Sequence, residues 1–176
     1  MRLLIVGLGN PSRQYKHTRH NMGAQIVRSY AYKKGIPLTP SPKFSGELGK
    51  RSDLILLLPS TYMNFSGKSV KKTVDFFTLP LQNTLVVSDD ISIPFQSLRF
   101  RHEGGTGGHN GLKSIAQELE THSFPRLRAG IGDRTRGSLE DHVLGIWSQE
   151  EAALLPGFLE DACREIERWI NAKRIS

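Results

Sequence analysis

A histidine near the start of the chain and a pair of aspartates near its middle form the first combination that could do chemistry. His20 lies between a predicted turn and a predicted helix, and Asp89 and Asp90 follow a buried, strand-like run. An imidazole titrates near pH ~6.5, which suits a general base, and a carboxylate can orient it and stabilise its cation. A solitary histidine is more often a packing or surface residue, and aspartates before Pro94 are also typical of a turn. This combination alone leaves both interpretations open.

A glycine-rich loop is the second feature with chemical potential. It has four glycines in the five positions 104–108 and continues into Asn110. A backbone without side chains lets a ligand approach closely, at a cost in folding entropy that a simple connector would avoid. The alternative is a strained turn in which Asn110 caps the following helix, since asparagine is a favoured N-cap residue.

Two glycine motifs that suggest nucleotide binding fail at a required position. Residues 7–9 read Gly-Leu-Gly after a strand, but Ser12 stands where the dinucleotide fingerprint needs its third glycine, and Pro11 interrupts the turn. Residues 67–69 read Gly-Lys-Ser, but Tyr62 stands where a phosphate-binding loop needs its first glycine. Neither segment therefore favours a nucleotide site.

Metal and thiol chemistry are also poorly supported by the sequence. His17 and His20 are the only close pair among six histidines, and no zinc-type spacing accompanies them. Cys163 is the single cysteine and lies within a predicted helix, where it is expected to be a small buried apolar residue. We expect no metal and no organic cofactor.

The predicted elements that must position these residues alternate between strand and helix. This alternation predicts an α/β fold, a single-domain three-layer sandwich with a mixed twisted sheet flanked by helices. Residues 38–43 are predicted to form a loop. The expected strands cover 2–6, 44–50, 54–58, 85–87, 97–101 and 127–131, and the expected helices cover 21–34, a segment beginning at 66, 111–120 and 149–173, the last interrupted at Pro156 and Gly157.

Asn10 and Asp89 come just after two of these predicted strands. Ligands of open α/β sheets gather at the carboxyl ends of the strands. We therefore expect the two side chains to share one crevice.

Composition and charge limit the partners. The 176 residues suit one domain, expected to span 1–176, and the longest apolar run, Leu54–Leu58, is too short to cross a membrane. One cysteine fits a reducing compartment, so the chain is expected to be cytoplasmic. The 24 Lys and Arg residues exceed the 17 Asp and Glu residues by seven, which favours a polyanionic partner such as nucleic acid.

Six segments in a fixed order form a pattern that is more specific than any one motif. They are IVGLGNP at 5–11, Tyr15 with TRHN at 18–21, PSTYMNFSG at 59–67, DD at 89–90 with IP at 93–94, GGTGGHNGLK at 104–113, and RLR at 126–128 with GIG at 130–132. Together with their surroundings they extend from residue 3 to about residue 145. This pattern resembles the bacterial-type peptidyl-tRNA hydrolase family.

The resemblance implies an activity and a role for each matching residue. Members of the family cleave the ester that joins a peptide to the 3′ ribose of tRNA, which recycles tRNA from abandoned translation. By the resemblance, His20 is the general base, Asp89 orients and polarises it, and Arg101 and Arg128 clamp the 5′-phosphate of the tRNA. The implied substrate-binding residues are Asn10, Tyr15, Tyr62, Met63, Asn64 and Asn110. Peptidyl-tRNA is the implied partner of a monomer that needs no membrane and no obligate protein partner.

The sequence departs from the usual family pattern at a few positions. Ser12 stands where a glycine is frequent, and Glu103 is expected to weaken phosphate attraction near Arg101. Ser88 stands where many members carry a histidine, directly before Asp89. This serine argues against a mechanism that needs a second imidazole beside the carboxylate. None of these changes removes a catalytic candidate.

Two alternatives from other functional classes remain open at this point. The first is a catalytically silent protein that binds or processes RNA on the same fold. It has no use for a base such as His20 with an orienting acid such as Asp89. The second is a nicotinamide-dependent oxidoreductase, which Pro11 and Ser12 disfavour.

Overall fold

A single mixed sheet forms the centre of the protein. The computed structural model describes residues 1–134 and 137–176. Within them, the sheet has seven strands: β1 (Leu3–Gly7), β2 (Thr39–Ser41), β3 (Gly46–Arg51), β4 (Leu54–Pro59), β5 (Thr84–Asp90), β6 (Leu98–Arg101) and β7 (Arg126–Gly130). Their order is β2-β3-β4-β1-β5-β7-β6. The central strands β4, β1, β5 and β7 are parallel, and the pairings outside them, β2-β3, β3-β4 and β7-β6, are antiparallel.

Helices cover both faces of this sheet, which confirms the expected three-layer α/β sandwich. The helices are α1 (Met22–Lys34), α2 (Ser66–Phe77), α3 (Asn110–Leu119), the short α4 (Leu139–Val143) and α5 (Gln149–Ile175). One layer contains α1 and α5, and the other contains α2 and α3. No helix in the described part of the chain is both long enough and apolar enough to span a membrane.

Strand β1 shows why the layers form. Its side chains alternate between the two faces, so Leu3 and Ile5 pack with the α1 and α5 side, whereas Leu4 and Val6 pack with the α2 and α3 side. All four are fully buried. Burying each such side chain contributes roughly 1.5–3 kcal/mol, which is why a run apolar at every position becomes a central parallel strand.

The structure corrects the expectation that residues 38–43 are only a loop. Thr39–Ser41 pairs with β3 as a short edge strand, with Pro40 opposite Glu47, and a 3₁₀ turn follows at Pro42–Phe44. Proline cannot donate to a neighbouring strand, so its place in a sheet is at an edge. Pro40 and Pro42 are therefore the reason that the sequence predicted a loop where the structure has an edge strand.

The C-terminal region differs from its prediction in two ways. Helix α5 runs without interruption through Pro156, which is exposed, whereas Phe158 and Cys163 on its inner face are buried. Packing of that face outweighs the roughly 3 kcal/mol that an interior proline costs a helix. The short helix α4, which the sequence analysis did not predict, begins at a capping box formed by Ser138 and Asp141.

The central parallel strands bring the chemical candidates together. Strands β1 and β5 are neighbours, with Gly7 opposite Val87, so the loop after β1 leaves the sheet beside the end of β5. Strand β5 is longer than expected: Asp89 and Asp90, which were expected to follow it, are its last two residues. The carboxyl edge of the sheet therefore carries both the asparagine of the first loop and the carboxylates.

Candidate active site

A cleft of about 660 Å³ opens at the carboxyl ends of the central strands. The structure brings into it every residue expected to be catalytic or to bind the peptide except Tyr15. Tyr15 lies in a 3₁₀ turn, where its carbonyl oxygen accepts two hydrogen bonds from Thr18, and its side chain does not line the cleft. The predicted residues that line the cleft are Asn10, His20, Tyr62, Met63, Asn64, Asp89 and Asn110.

His20 and Asp89 are in direct contact, although they are 69 positions apart in the sequence. His20 Nδ1 lies 3.0 Å from Asp89 Oδ1 and 2.9 Å from Asp89 Oδ2. The carboxylate is almost completely buried, at 3% exposure, and the imidazole borders the cleft. Because Nδ1 donates its hydrogen to Asp89, the lone pair is left on Nε2, as a general base requires.

A second imidazole, that of His109, holds the same carboxylate. His109 Nε2 lies 2.8 Å from Asp89 Oδ1. Its other ring nitrogen, Nδ1, accepts hydrogen bonds from the backbone N–H groups of Gly111 at 3.1 Å and Leu112 at 3.3 Å. Nδ1 therefore carries a lone pair, and Nε2 carries the hydrogen donated to Asp89. The carboxylate is fixed between two N–H donors, one of which is anchored to the start of α3.

The electrostatics of this array suit a base and its orienting acid. Burial alone would lower the pKa of His20, but the charge of Asp89 and its hydrogen bond outweigh burial and raise the pKa above its usual 6.5. Burial alone would raise the pKa of Asp89, but His109 and His20 hold it well below its usual range. Asp89 is therefore an anion at neutral pH, and it stabilises the imidazolium that forms when His20 accepts a proton.

Hydrogen bonds fix the amide of Asn10 in one orientation. Asn10 Oδ1 accepts from the backbone N–H of Met63 at 2.7 Å. The backbone N–H of Asn10 donates to Asn21 Oδ1 at 2.8 Å, and Asn21 Nδ2 donates to the carbonyl oxygen of Asn10 at 2.9 Å. Because Oδ1 is occupied, Asn10 Nδ2 is the end of the amide that can donate to a ligand in the cleft.

The two arginines expected to bind phosphate lie on neighbouring strands but in different surroundings. Arg101 on β6 is exposed, whereas Arg128 on β7 forms an ion pair with Asp90 at 2.5 Å. In the strand register Arg101 lies opposite Arg126, and Arg128 lies opposite Arg99, which is also exposed. Directly opposed residues share a face, so all four cations lie on one side of the β6-β7 pair.

Arg126 is a structural member of this group. It is 1% exposed and donates to the carbonyl oxygens of Gly105 at 3.0 Å and His122 at 2.7 Å. Its guanidinium thereby ties the glycine-rich loop to the segment before β7. The carboxylate of Glu103, expected to oppose phosphate near Arg101, accepts a hydrogen bond from the Ser123 hydroxyl at 3.1 Å.

Asp89 and the two imidazoles beside it also have the residue types and proximity of metal ligands. Ligand atoms of His20, Asp89 and His109 lie within 4.8 Å of one another. A metal would need a lone pair on each nitrogen that faces the carboxylate, but His109 Nε2 carries a hydrogen there. The contacts of 2.8–3.0 Å are those of N–H groups donating to a carboxylate. The geometry fits a hydrogen-bonded array better than a metal site.

Comparison with known proteins agrees with the resemblance seen in the sequence. The profile of the peptidyl-tRNA hydrolase family matches residues 4–176. The chain belongs to the peptidyl-tRNA hydrolase family. A peptidyl-tRNA hydrolase of Clostridium novyi (strain NT) is 40% identical over 172 residues, covering 96% of this chain and 91% of that protein. One from Synechococcus sp. (strain JA-2-3B'a(2-13)) is 45% identical over 170 residues, covering 93% of this chain and 75% of that protein.

Solved structures of the family have the same fold. The crystal structure of the peptidyl-tRNA hydrolase from Acinetobacter baumannii has a TM-score of 0.92 and 37% sequence identity, covering 98% of this chain and 90% of that chain. A crystal structure of peptidyl-tRNA hydrolase in complex with N-propanol gives the same values. The resemblance and the predicted fold class are both confirmed.

His109 is the main site residue that the sequence analysis of this family member missed. Asn110 was considered as the cap of α3, but the cap is His109, and Asn110 is the first helical residue. Ser88 was taken to argue against a second imidazole beside Asp89, yet His109 supplies one. Position in the glycine-rich segment was the only available signal, because contact with Asp89 depends on where α3 begins in space.

Proposed function

We propose that this chain hydrolyses the ester between a peptide and the 3′ ribose of tRNA, with His20 as general base and Asp89 as its orienting acid. The observation that carries the proposal is the 2.9 Å contact of His20 Nδ1 with a buried carboxylate, beside an open cleft. Membership of the peptidyl-tRNA hydrolase family supports the substrate class. The expected product pair is a free peptide and a tRNA with a free 3′ end.

The reaction follows from the chemistry of the cleft residues. His20 Nε2 accepts a proton from water as the oxygen attacks the ester carbonyl, and the resulting imidazolium is stabilised by Asp89. The same proton is then available for the departing ribose oxygen. An ester is more reactive than an amide, so its hydrolysis needs less assistance. General-base assistance contributes roughly 10²–10⁴-fold to the rate.

Asparagine amides are suited to hold the ester because they donate and accept without titrating. We assign Asn10 Nδ2 as a donor to the carbonyl oxygen, since Asn10 Oδ1 is occupied by Met63. Asn64 and Asn110 line the same cleft and are exposed, which suits contacts with the peptide or with the attacking water. A fixed donor aimed at a developing oxyanion adds a factor of roughly 10²–10³.

The basic face of β6 and β7 is assigned to the tRNA. An arginine fork pairs with phosphate oxygens without reading sequence, so it anchors the nucleic acid. Arg101 is exposed and free to make such a contact, and Arg128 can contribute from its place beside Asp90. In this proposal the 5′-phosphate of the tRNA binds to the face of β6 and β7, and the ester lies in the cleft.

A catalytically silent RNA-binding protein is the second candidate function. It would account for the net charge of +7 but not for the carboxylate buried between two imidazoles. Burying Asp89 has an electrostatic cost that RNA binding alone gives no reason to sustain. We therefore favour the hydrolase.

The decisive experiment compares N-blocked aminoacyl-tRNA with its unblocked counterpart. We expect release of the amino acid only from the blocked substrate, and no comparable release by His20→Ala. Binding of both tRNAs without hydrolysis would instead support the silent RNA-binding protein.

We also infer that the chain acts in the cytoplasm as a monomer, without an obligate protein partner and without a metal or organic cofactor. The proposed steps use only side chains and water. Gel filtration at assay concentration should give one molecule per particle, and turnover should survive prolonged treatment with a chelator. Loss of turnover that added metal restores would contradict the cofactor assignment.

A further inference from the structure

The three-residue 3₁₀ turn that carries His20 is held on both sides. The turn comprises Arg19, His20 and Asn21. On one side, Asn21 and the backbone of Asn10 exchange hydrogen bonds of 2.8 and 2.9 Å. On the other side, Arg19 does not line the cleft and contacts the stretch of chain that runs from the end of α4 to the start of α5.

Arg19 makes four kinds of contact with that segment, which we call the Arg19 clasp. Its backbone N–H donates to the carbonyl oxygen of Gly145 at 3.0 Å. Its guanidinium donates to the carbonyl oxygen of His142 at 3.3 Å and forms an ion pair with Glu151 at 2.9 Å. The same guanidinium lies over the ring of Trp147, 5.3 Å from its centre.

The backbone around the clasp is shaped to let the two segments approach closely. Thr18 pairs with Ile146 in an isolated antiparallel bridge. A side chain at Gly145 would bring its Cβ within 2.8 Å of Arg19 Nη1, so the arginine occupies the space that a larger residue would need. The Arg19 side chain is only 13% exposed. The clasp is therefore a fitted contact and not a chance surface ion pair.

The clasped segment continues into a wall of the cleft. Helix α4 and the residue after it line the cleft through Leu139, Glu140, Val143 and Leu144. Arg19 thus joins two parts of the site: the turn that places the imidazole, and the wall that a bound substrate would meet.

We propose that Arg19 is a positioning residue, which holds His20 against Asp89 and couples that contact to the wall formed by α4. The inference rests on the proposed role of His20 as general base. Arginine is needed because its planar fork serves the His142 carbonyl and the Glu151 carboxylate at once, whereas a lysine has one nitrogen.

The test measures turnover and the titration of His20 in Arg19→Ala and Arg19→Lys. A displaced catalytic group can cost up to roughly 10²-fold, so we expect kcat to fall by about 10- to 100-fold in Arg19→Ala, with a smaller change in KM. The pKa of His20, followed by NMR of its ring, should move down from its raised value as the contact with Asp89 loosens. His109, Asp90 and Glu140 remain in place as the other titratable groups at the cleft. Arg19→Lys should recover part of both losses.

Two further variants complete the design. Glu151→Gln removes the charge of the ion pair but keeps an oxygen to accept the Ser148 N–H at the start of α5, so it should shift both readouts in the same direction by less. If Arg19→Ala fails to fold, Glu151→Gln decides the question. Arg174→Ala, which breaks an exposed pair with Asp53 far from the cleft, should leave kcat and the His20 titration unchanged.

The outcomes separate this inference from the proposed function. Folded Arg19→Ala with unchanged kcat and unchanged His20 titration would overturn the positioning role. So would slower turnover with an unchanged His20 titration, since the clasp would then act on the wall alone. If His20→Ala retained full turnover, the general-base assignment would fail, yet the NMR titration would still report whether Arg19 places the imidazole.

Discussion

The cleft and the basic face of the β6-β7 pair use charge in opposite ways. In the cleft, Asp89 is buried and both of its neighbours, His20 and His109, donate to it. On the basic face, Arg99 and Arg101 are exposed, and no acidic side chain among the described residues pairs with them. In the cleft the negative charge is buried and fixed by hydrogen bonds, and on the basic face the positive charges are exposed and available to a partner.

This difference indicates a division of labour between chemistry and association. Groups that are fixed and shielded from water interact strongly and change pKa values, as they do for His20. Exposed cations interact weakly with one partner but attract a polyanion over a distance set by ionic strength. Substitutions in the cleft should therefore change kcat, and substitutions on the basic face should change KM and its salt dependence.

Replacing His20 should give the largest effect. His20→Ala removes the proton acceptor, so kcat should fall by roughly 10²–10⁴-fold while KM changes little. Steady-state kinetics with N-blocked aminoacyl-tRNA would measure both constants. A variant that keeps its kcat but loses affinity would place His20 with the binding residues and break the distinction between the two regions.

Removing the charge of Asp89 should shift the pH dependence of turnover to lower pH. His20 must be neutral to act as a base, so activity falls as the pH drops through its pKa, which Asp89 raises above 6.5. Asp89→Asn removes that charge while burial continues to favour the neutral ring, so the acidic limb of the kcat profile should move down in pH. Turnover at pH 8 should fall by roughly 10- to 100-fold, because the imidazolium loses its stabilising partner.

The control for the Asp89 variant is the neighbouring Asp90. It is paired with Arg128 and does not contact His20, so Asp90→Asn should leave the acidic limb where it is. An acidic limb that stays fixed in Asp89→Asn would show that another group sets the pH dependence.

Replacing either arginine should weaken tRNA binding, but only the Arg128 variant should also lower kcat. Arg101→Ala should raise KM and reduce the slope of log KM against log salt by about 0.7–0.9, the contribution of one phosphate contact. Arg128→Ala should also raise KM, but it leaves the Asp90 carboxylate unpaired at the edge of the cleft, so kcat should fall as well. Assays between low and moderate salt would resolve the two. Identical slopes in wild type and both variants would remove the basic face from tRNA binding.

Sequence reasoning predicted the parts of the site that depend on local rules. Parallel strands end at one edge of a sheet, so Asn10 and Asp89 could be placed together from their positions after two apolar runs. The family pattern then favoured His20, already a candidate from its residue type, as the base that Asp89 orients. Each of these steps needs only the order of elements and the residues at their ends.

The remaining features depend on distances that local patterns do not contain. The contact of His109 with Asp89 requires the start of α3 to lie above the end of β5. The pairing of Arg128 with Asp90 depends on the register of β7 against β5. Pro156 is tolerated because tertiary packing of α5 outweighs a local rule. In each case, the observed structure depends on packing between distant parts of the chain, which local sequence preferences do not contain.

The smallest predicted effect concerns the loop that carries Asn10. Ser12 has φ 80° and ψ 156°, a conformation that is essentially restricted to glycine and costs other residues about 1–3 kcal/mol. Ser12→Gly relieves this strain but frees the unfolded chain by about 0.4–1 kcal/mol, so a net stabilisation of about 1 kcal/mol is expected. For a chain of this size, that gain corresponds to a rise in Tm of about 2–4 °C.

The control for Ser12 is Ser45, which has φ 51° and ψ 47° in the ordinary left-handed well, where serine is less strained. Ser45→Gly should raise the Tm by less than Ser12→Gly. The salt dependence of KM should be unchanged in both variants, since neither residue lies on the basic face. A lower Tm in Ser12→Gly would mean that the serine stabilises the loop. A lower kcat with a higher Tm would mean that the strain at Ser12 helps to hold Asn10 in place. In that case, relaxing the backbone at Ser12 would have moved the side-chain amide of Asn10 in the cleft.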